Sequence, residues 1–471
     1  MGRGVSREHT ETGPRPCRLC GSPSPLPSTY EARAFTVMPR QHVVDRRDEA
    51  PALPADASSP EGVQPSLPQD RLRGSEKIRR IVPIDNLKAV LVAWVIAGHA
   101  FLGYAAMGGW PYDEVAETTL PREVELVLEI IIGPSALFVI GTFFFLSGLM
   151  APRSISRRGP AAFARQRLVR LGVPWLIFTL LIWPLLMWVV YRSAGYSLSV
   201  WQIMRTRQPF LDSGPLWFVQ ILLYVSLAHA LVIGIGQNRI RLGAHAMTLV
   251  MAVVAITVAS FAIRLSFPAR SQQVLDLHVW QWPQCIGLYL VGVVVADQGW
   301  AERVPLRAAR RCGIAVLVAL AAGVMVAAVL GLSDLKRDGV PFLGGWRWQA
   351  LLLDLVEATL VVAGSVWLLA WAQRRLASMA VAVRQLARSA YAAYLLQVPV
   401  LLGLEIAARS LEWPAVAKAI LVATLAVAGS FGLGWLITHW ALGRHEPPRG
   451  DRKSRQRRIT AAAQSDAPRS R

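Results

Sequence analysis

Long apolar runs alternate with short polar stretches along most of this chain. Between residues 82 and 440 the apolar runs recur at about 20 residues each, long enough to cross a hydrocarbon core about 30 Å thick. Strand-like alternation of apolar and polar positions is absent, so the runs predict helices, which satisfy their own backbone amides in lipid. The pattern therefore predicts an all-α protein, a polytopic transmembrane helix bundle of about ten spans.

The limits of the predicted spans follow from where each apolar run begins and ends. The sixth is short, and Pro399 interrupts the ninth. The predicted spans are 82–105, 126–149, 172–191, 215–236, 245–265, 283–298, 313–332, 349–371, 390–408 and 417–440.

The formal charge of +20 is distributed unevenly among the loops. Loops 153–170, 237–243, 299–311 and 373–388 together carry sixteen arginines, whereas the opposite loops mix fewer basic residues with Asp and Glu. The positive-inside bias then predicts both termini in the cytoplasm. A nucleic-acid partner is not expected, because the charge is split among short loops at helix ends.

Polar segments flank the predicted membrane domain of residues 80–442. Residues 1–79 are rich in Pro, Ser, Glu and Arg and are predicted to be a disordered tail, as are the basic residues 443–471. The first segment has no apolar signal-peptide core, so the first span is expected to direct insertion. Its Cys17 and Cys20 form one CxxC without the second pair that a zinc site normally needs.

The first span carries two ionisable residues, Lys88 and His99. They are eleven residues apart, so they share a helix face and lie about 16 Å apart along the axis. Lys88 is expected near the cytoplasmic boundary and His99 well inside the membrane, where an ionisable residue suggests function. His99 is a candidate general base, although a neutral histidine hydrogen-bonded to a neighbouring helix is an equal alternative.

A basic cluster is expected at the cytoplasmic end of the first three spans. Arg167 and Arg170 share a helix face, and Ser147 and Arg153 end the second span on the same side. Together with Lys88 they would suit a phosphate-bearing ligand. Ordinary positive-inside anchoring explains the same residues.

Three further polar or aromatic residues are candidates for lining a substrate path. Trp217 opens the fourth span, where membership of the interfacial aromatic belt is the alternative. Tyr394 and Gln397 share a face of the ninth span, where simple interhelical hydrogen bonding is as good an explanation. No GxSxG, HExxH or Walker motif and no DxD pair occurs, so neither a covalent triad nor a metal site is predicted.

In their order and spacing these residues resemble the membrane-bound acyltransferase family 3, most closely the branch with proteins of the glucan biosynthesis protein C type. The resemblance extends over about residues 80–440. It rests on Asp85 to Lys88 with His99, Phe143 to Gly148, Arg167 to Pro174, Leu216 to Phe218 and Tyr391 to Pro399.

The resemblance implies a multi-pass enzyme of the bacterial inner membrane. It would move an acetyl or succinyl group from acyl-CoA, with no bound cofactor, to a hydroxyl of a carbohydrate or lipid-linked glycan. His99 matches the family's essential histidine, Lys88 stands where the family has arginine, and Gln397 stands where histidine is common. A transporter of a glycan or lipid intermediate and a non-catalytic scaffold are the alternative hypotheses.

Overall fold

Every regular element in the described part of the chain is a helix. The computed structural model describes residues 81–105, 110–112, 119–206, 211–236, 246–269, 271, 277–334, 340–377 and 381–443. The main helices are α1 Val82–Leu102, α2 Arg122–Arg158, α3 Pro160–Ser193, α4 Trp217–Gly234, α5 Ala246–Arg264, α6 Trp282–Ala296, α7 Leu306–Asp334, α8 Trp348–Arg375, α9 Ala390–Ala408 and α10 Ala415–Gly443. Shorter helices are Val200–Thr206, Val340–Leu343 and Val381–Arg388, and 3₁₀ turns at Gly214–Leu216 and Val279–Gln281 precede α4 and α6.

Ten helices among the described residues are long and apolar enough to cross a bilayer. The predicted helix bundle with about ten spans is therefore confirmed. The ninth helix continues through Pro399, so the predicted interruption there does not end it. The predicted tails, 1–79 and 443–471, lie outside the described residues except for Gly443, the last residue of α10.

The ends of the second and third spans differ from the prediction. α2 covers Arg122–Arg158, which contains the predicted span 126–149 and extends beyond both of its ends, and α3 covers Pro160–Ser193, which contains the predicted span 172–191. The predicted loop 153–170 is therefore helical apart from Gly159, because arginine is a good helix former and extends both helices beyond their apolar cores. Gly159 has a φ of 81°, which stops one helix, and Pro160 suits the first turn of the next.

Two π-helical turns, Leu168–Gly172 and Phe178–Ile182, interrupt the α-helical pattern of α3. Pro174 has no N–H to donate to the carbonyl of Arg170 four residues earlier. The Tyr391 hydroxyl of α9 donates to that carbonyl at 2.8 Å. This contact ties α9 to the part of α3 that carries Arg167 and Arg170.

Helices α2 and α6 approach each other closely enough for their backbones to touch. A Cβ atom added at Gly148 would lie 2.0 Å from the Tyr289 carbonyl oxygen, and one at Gly292 would lie 2.2 Å from the Phe145 carbonyl oxygen. Small residues at such crossings are typical of membrane helix pairs. The crossing fixes Ser147 of α2 relative to Tyr289 of α6.

A buried ionic cluster joins α5 to α8. Arg264, fully buried, pairs with Asp354 and, at 2.6 Å, with Glu357. Gln284 of α6 donates to the same Glu357 oxygen at 2.8 Å. Buried charges are expensive unless they are paired, so the polar side chains of this cluster hold the three helices in one register.

Candidate functional site

His99 lies near the end of α1, partly buried between α9 and the segment that follows α1. Its Nδ1 is 3.3 Å from Oε1 of Gln397, which is fully buried. The imidazole also stacks on Trp110, with ring centroids 4.7 Å apart and an interplanar angle of 16°. Two contacts therefore fix the ring, one in its plane and one on its face.

Trp110 is held in turn by Glu405 of α9. The indole N–H of Trp110 lies 3.1 and 3.0 Å from the two carboxylate oxygens of Glu405. The Tyr112 hydroxyl donates to the Glu405 carbonyl at 3.0 Å. Gly103 leaves the space that this carboxylate occupies, since a Cβ there would lie 2.5 Å from Glu405 Oε1.

The hydrogen bond to Gln397 determines which histidine nitrogen is available for chemistry. An amide oxygen can only accept, so Nδ1 of His99 carries the proton in this contact. The neutral tautomer then leaves its lone pair on Nε2. His99 is thus arranged as a neutral base whose orientation is fixed by Gln397 and Trp110.

The basic residues at the other end of α1 partly gather as predicted. Arg167 donates from Nη2 to Ser147 Oγ at 3.1 Å, and its guanidinium lies over the Phe163 ring at 5.0 Å. Lys88 is within electrostatic reach of Arg167 and of Arg170. Lys88, Arg167 and Arg170 therefore lie close enough to one another to interact electrostatically.

Arg153 has a different neighbour. It forms an ion pair with Glu302 at 2.6 Å, and both side chains are substantially exposed. The pair joins α2 to the segment between α6 and α7. The structure thus shows Arg153 engaged with an acidic partner rather than with Ser147 or Arg167.

The aromatic candidates occupy separate positions. Trp217 stacks on His278, with ring centroids 4.5 Å apart. The Tyr394 hydroxyl donates to the Pro215 carbonyl, and its ring packs edge-on against Phe218 at 4.9 Å. Tyr394 therefore anchors α9 to the start of α4, whereas Gln397, on the same helix face, reaches His99.

Sequence reasoning missed Trp110, Glu405 and Tyr289. Tyr289 lies in electrostatic contact with Arg167, and its hydroxyl is 2.9 Å from His229 Nδ1. Of these three residues, only Glu405 stands out in the sequence. An acidic residue within an apolar span suggests a functional or a paired role. Trp110 and Tyr289 carry no such signal, because tryptophan and tyrosine are common at membrane interfaces.

In the part of the chain that the structure describes, no group of three or more His, Cys, Asp or Glu side chains is placed to hold a metal ion. The groups that surround His99 are hydrogen-bonding and aromatic groups, Gln397 and Trp110, with Glu405 bonded to Trp110.

The chain matches a known protein family. A family model described as an acyltransferase domain covers residues 81–439, from the start of α1 almost to the end of α10. No curated protein and no solved structure matches this chain. The match covers nine of the ten candidate spans of the described residues completely, all but the last residue of the tenth, and every residue of the His99 site. This multi-pass membrane chain therefore belongs to the membrane-bound acyltransferase family 3, whose members are acyltransferases.

Proposed function

We propose that this protein is an O-acyltransferase that moves an acetyl or succinyl group from acyl-CoA to a hydroxyl of a carbohydrate or glycolipid. The observation that carries the proposal is the His99 site, a histidine in the last turn of the apolar helix α1 with its Nδ1 held by Gln397. A base near neutral pH is what activation of a hydroxyl requires. The family supplies the reaction class, and His99 supplies the base.

The donor's phosphates are assigned to the basic end of α1. Lys88, Arg167 and Arg170 lie within electrostatic reach of one another, and arginine can hold a phosphate bidentately. Ser147 is already bonded to Arg167 and would orient its guanidinium. Arg153 forms an exposed ion pair with Glu302. Exposed pairs contribute little to stability, so Arg153 could leave Glu302 and bind a phosphate at little cost in free energy.

The distance between the two parts of the site suits this donor. Lys88 and His99 are about 16 Å apart along the helix axis. Acyl-CoA has its phosphates at one end and its thioester at the other end of a long pantetheine arm. The arm would run along α1, with the thioester beside His99 and the nucleotide at the basic end.

The acceptor is expected to approach His99 from the opposite end of the bundle. Trp217, stacked on His278, offers an aromatic surface of the kind that packs against sugar rings. In bacteria, with the basic end in the cytoplasm as the positive-inside bias predicts, acyl-CoA would be drawn from the cytoplasm. The proposed location is the inner membrane.

The test uses purified protein, radiolabelled acetyl-CoA and succinyl-CoA, and a membrane extract as acceptor source. His99→Ala is expected to lower transfer by at least about 100-fold, the usual scale for loss of a general base. The control is His439→Ala, since His439 is exposed and stacks on Trp435 near the end of α10. It should transfer label at the wild-type rate.

Two results would contradict the proposal. One is undiminished transfer by His99→Ala, which would remove the histidine from the mechanism. The other is no transfer by folded wild-type protein with either donor and a competent acceptor extract, which would favour export of a glycan or lipid intermediate.

A further inference from the structure

The amide nitrogen of Gln397 is a buried donor next to the proposed base. Gln397 is fully buried, and its Nε2 has no hydrogen-bond partner among the described residues. Its Oε1 is the atom that faces His99 Nδ1. A buried N–H₂ group without a partner is uncommon in a native structure and calls for an explanation.

We infer that Gln397 is a catalytic residue whose Nε2 donates a hydrogen bond to the oxyanion that forms during acyl transfer. The inference rests on the proposed function and adds a second role at the same site. One amide would fix the tautomer of His99 through Oε1 and stabilise the developing negative charge through Nε2. Donors aimed at that charge are a major source of rate enhancement in acyl transfer.

The reaction can be written with every bond and proton accounted for. The acceptor hydroxyl loses its proton to His99 Nε2 while its oxygen bonds to the thioester carbonyl carbon. The carbonyl π electrons move to oxygen, and this oxyanion accepts a hydrogen bond from Gln397 Nε2. When the C=O bond reforms, the C–S bond breaks, and the departing CoA sulfur takes the proton from the His99 imidazolium.

A purely packing role explains this residue poorly. In the described structure the amide oxygen of Gln397 has a hydrogen-bond partner and the amide nitrogen has none. An apolar side chain of similar size would not bury an unpaired N–H₂ group. The fold therefore gains nothing from the Nε2 group. Gln397→Met removes this unpaired group together with the acceptor of the His99 hydrogen bond, so its melting temperature is expected to lie close to that of the wild type.

Two substitutions separate the roles of the two amide atoms. Gln397→Glu keeps an oxygen that can accept from His99 Nδ1 and makes it a carboxylate, as in hydrolase triads, but removes the donor. Gln397→Met removes both. If Gln397 only orients His99, Gln397→Glu should keep or raise kcat; if it donates to the oxyanion, both variants should lose activity.

The measurement is steady-state transfer with the labelled donor that the wild type accepts. We expect kcat to fall by about 100- to 1,000-fold in both variants, the effect of losing one oxyanion donor, with little change in the KM for the donor. Gln220→Glu is the control for a carboxylate at a buried glutamine, since Gln220 is buried in α4 and bonds Tyr224. It should keep the wild-type kcat.

The possible failures are distinguishable. Wild-type kcat in Gln397→Glu, or an effect confined to KM, would overturn the oxyanion role even while His99→Ala remained inactive. Failure of the wild type itself to transfer any acyl group would overturn the proposed function instead.

Discussion

At the scale of single residues, the candidate base is held by groups that are distant in sequence. His99 stacks on Trp110, and Trp110 bonds both oxygens of the buried Glu405. Glu405 lies two helical turns beyond Gln397 on α9. One helix therefore supplies both the in-plane contact of the imidazole and the support for the ring beneath it.

We expect Trp110→Ala to lower kcat of the proposed transfer by about tenfold to 100-fold, because a small displacement of a catalytic group has an effect of this size. Trp110→Phe keeps an aromatic face and should lose less. The same transfer assay compares them with Trp346→Ala, whose side chain is 84% exposed. A Trp110→Ala protein with the kcat of the wild type would show that the stack does not position His99.

The polar side of this site was only partly predictable from the sequence. His99 and Gln397 were selected because they are polar residues at membrane depth or on a shared helix face. Their mutual contact joins positions 298 apart in the chain. A local sequence pattern cannot predict a contact between residues so far apart. No sequence signal distinguishes Trp110, because a tryptophan near a span end usually belongs to the interfacial belt.

At the scale of helices, the closest crossing depends on two glycines. Gly148 and Gly292 leave no room for a Cβ atom against the opposing backbone. Backbone atoms cannot move aside as the end of a flexible side chain can. The α2–α6 crossing should therefore be the packing contact that is most sensitive to small additions.

Gly148→Ala and Gly292→Ala should each destabilise the protein by about 1–3 kcal/mol, the usual effect of overpacking, despite the better helix propensity of alanine. Thermal unfolding in detergent, followed by tryptophan fluorescence, measures the change. Gly432→Ala is the matched control, because nothing lies within 4 Å of a Cβ at that site in α10. Equal melting temperatures for all three variants would argue against this crossing.

At the scale of the whole molecule, the arginine-rich ends of the spans predict a single orientation in the membrane. If the ten candidate helices of the described residues all cross the membrane, both ends of the bundle would lie on the same side, and the positive-inside bias predicts that this side is the cytoplasm. The end of α2 and the start of α3 would then be cytoplasmic as well. Acyl-CoA would meet the basic residues there.

Reporter fusions in a bacterial host can check this orientation. Alkaline phosphatase, which needs periplasmic disulfides to fold, should be inactive when fused to the C-terminus and active when fused after Arg409, between α9 and α10. A fluorescent protein that matures in the cytoplasm should give the opposite result at both positions. Phosphatase activity from the C-terminal fusion would reverse the predicted orientation and with it the side from which the donor enters.

The amino-acid sequence by itself determined the helical class and the approximate number of spans. Hydropathy over about 20 residues is a local property, and an apolar helix of that length matches the thickness of the hydrocarbon core. The sequence also singled out His99 and the basic residues at the helix ends, since ionisable groups stand out against an apolar background. Only the tertiary structure decided which polar groups meet: Gln397 with His99, Glu405 with Trp110, and Arg264 with Asp354 and Glu357. These contacts depend on how helices far apart in the chain cross and rotate, which is set by packing details such as Gly148 and Gly292 rather than by any local pattern.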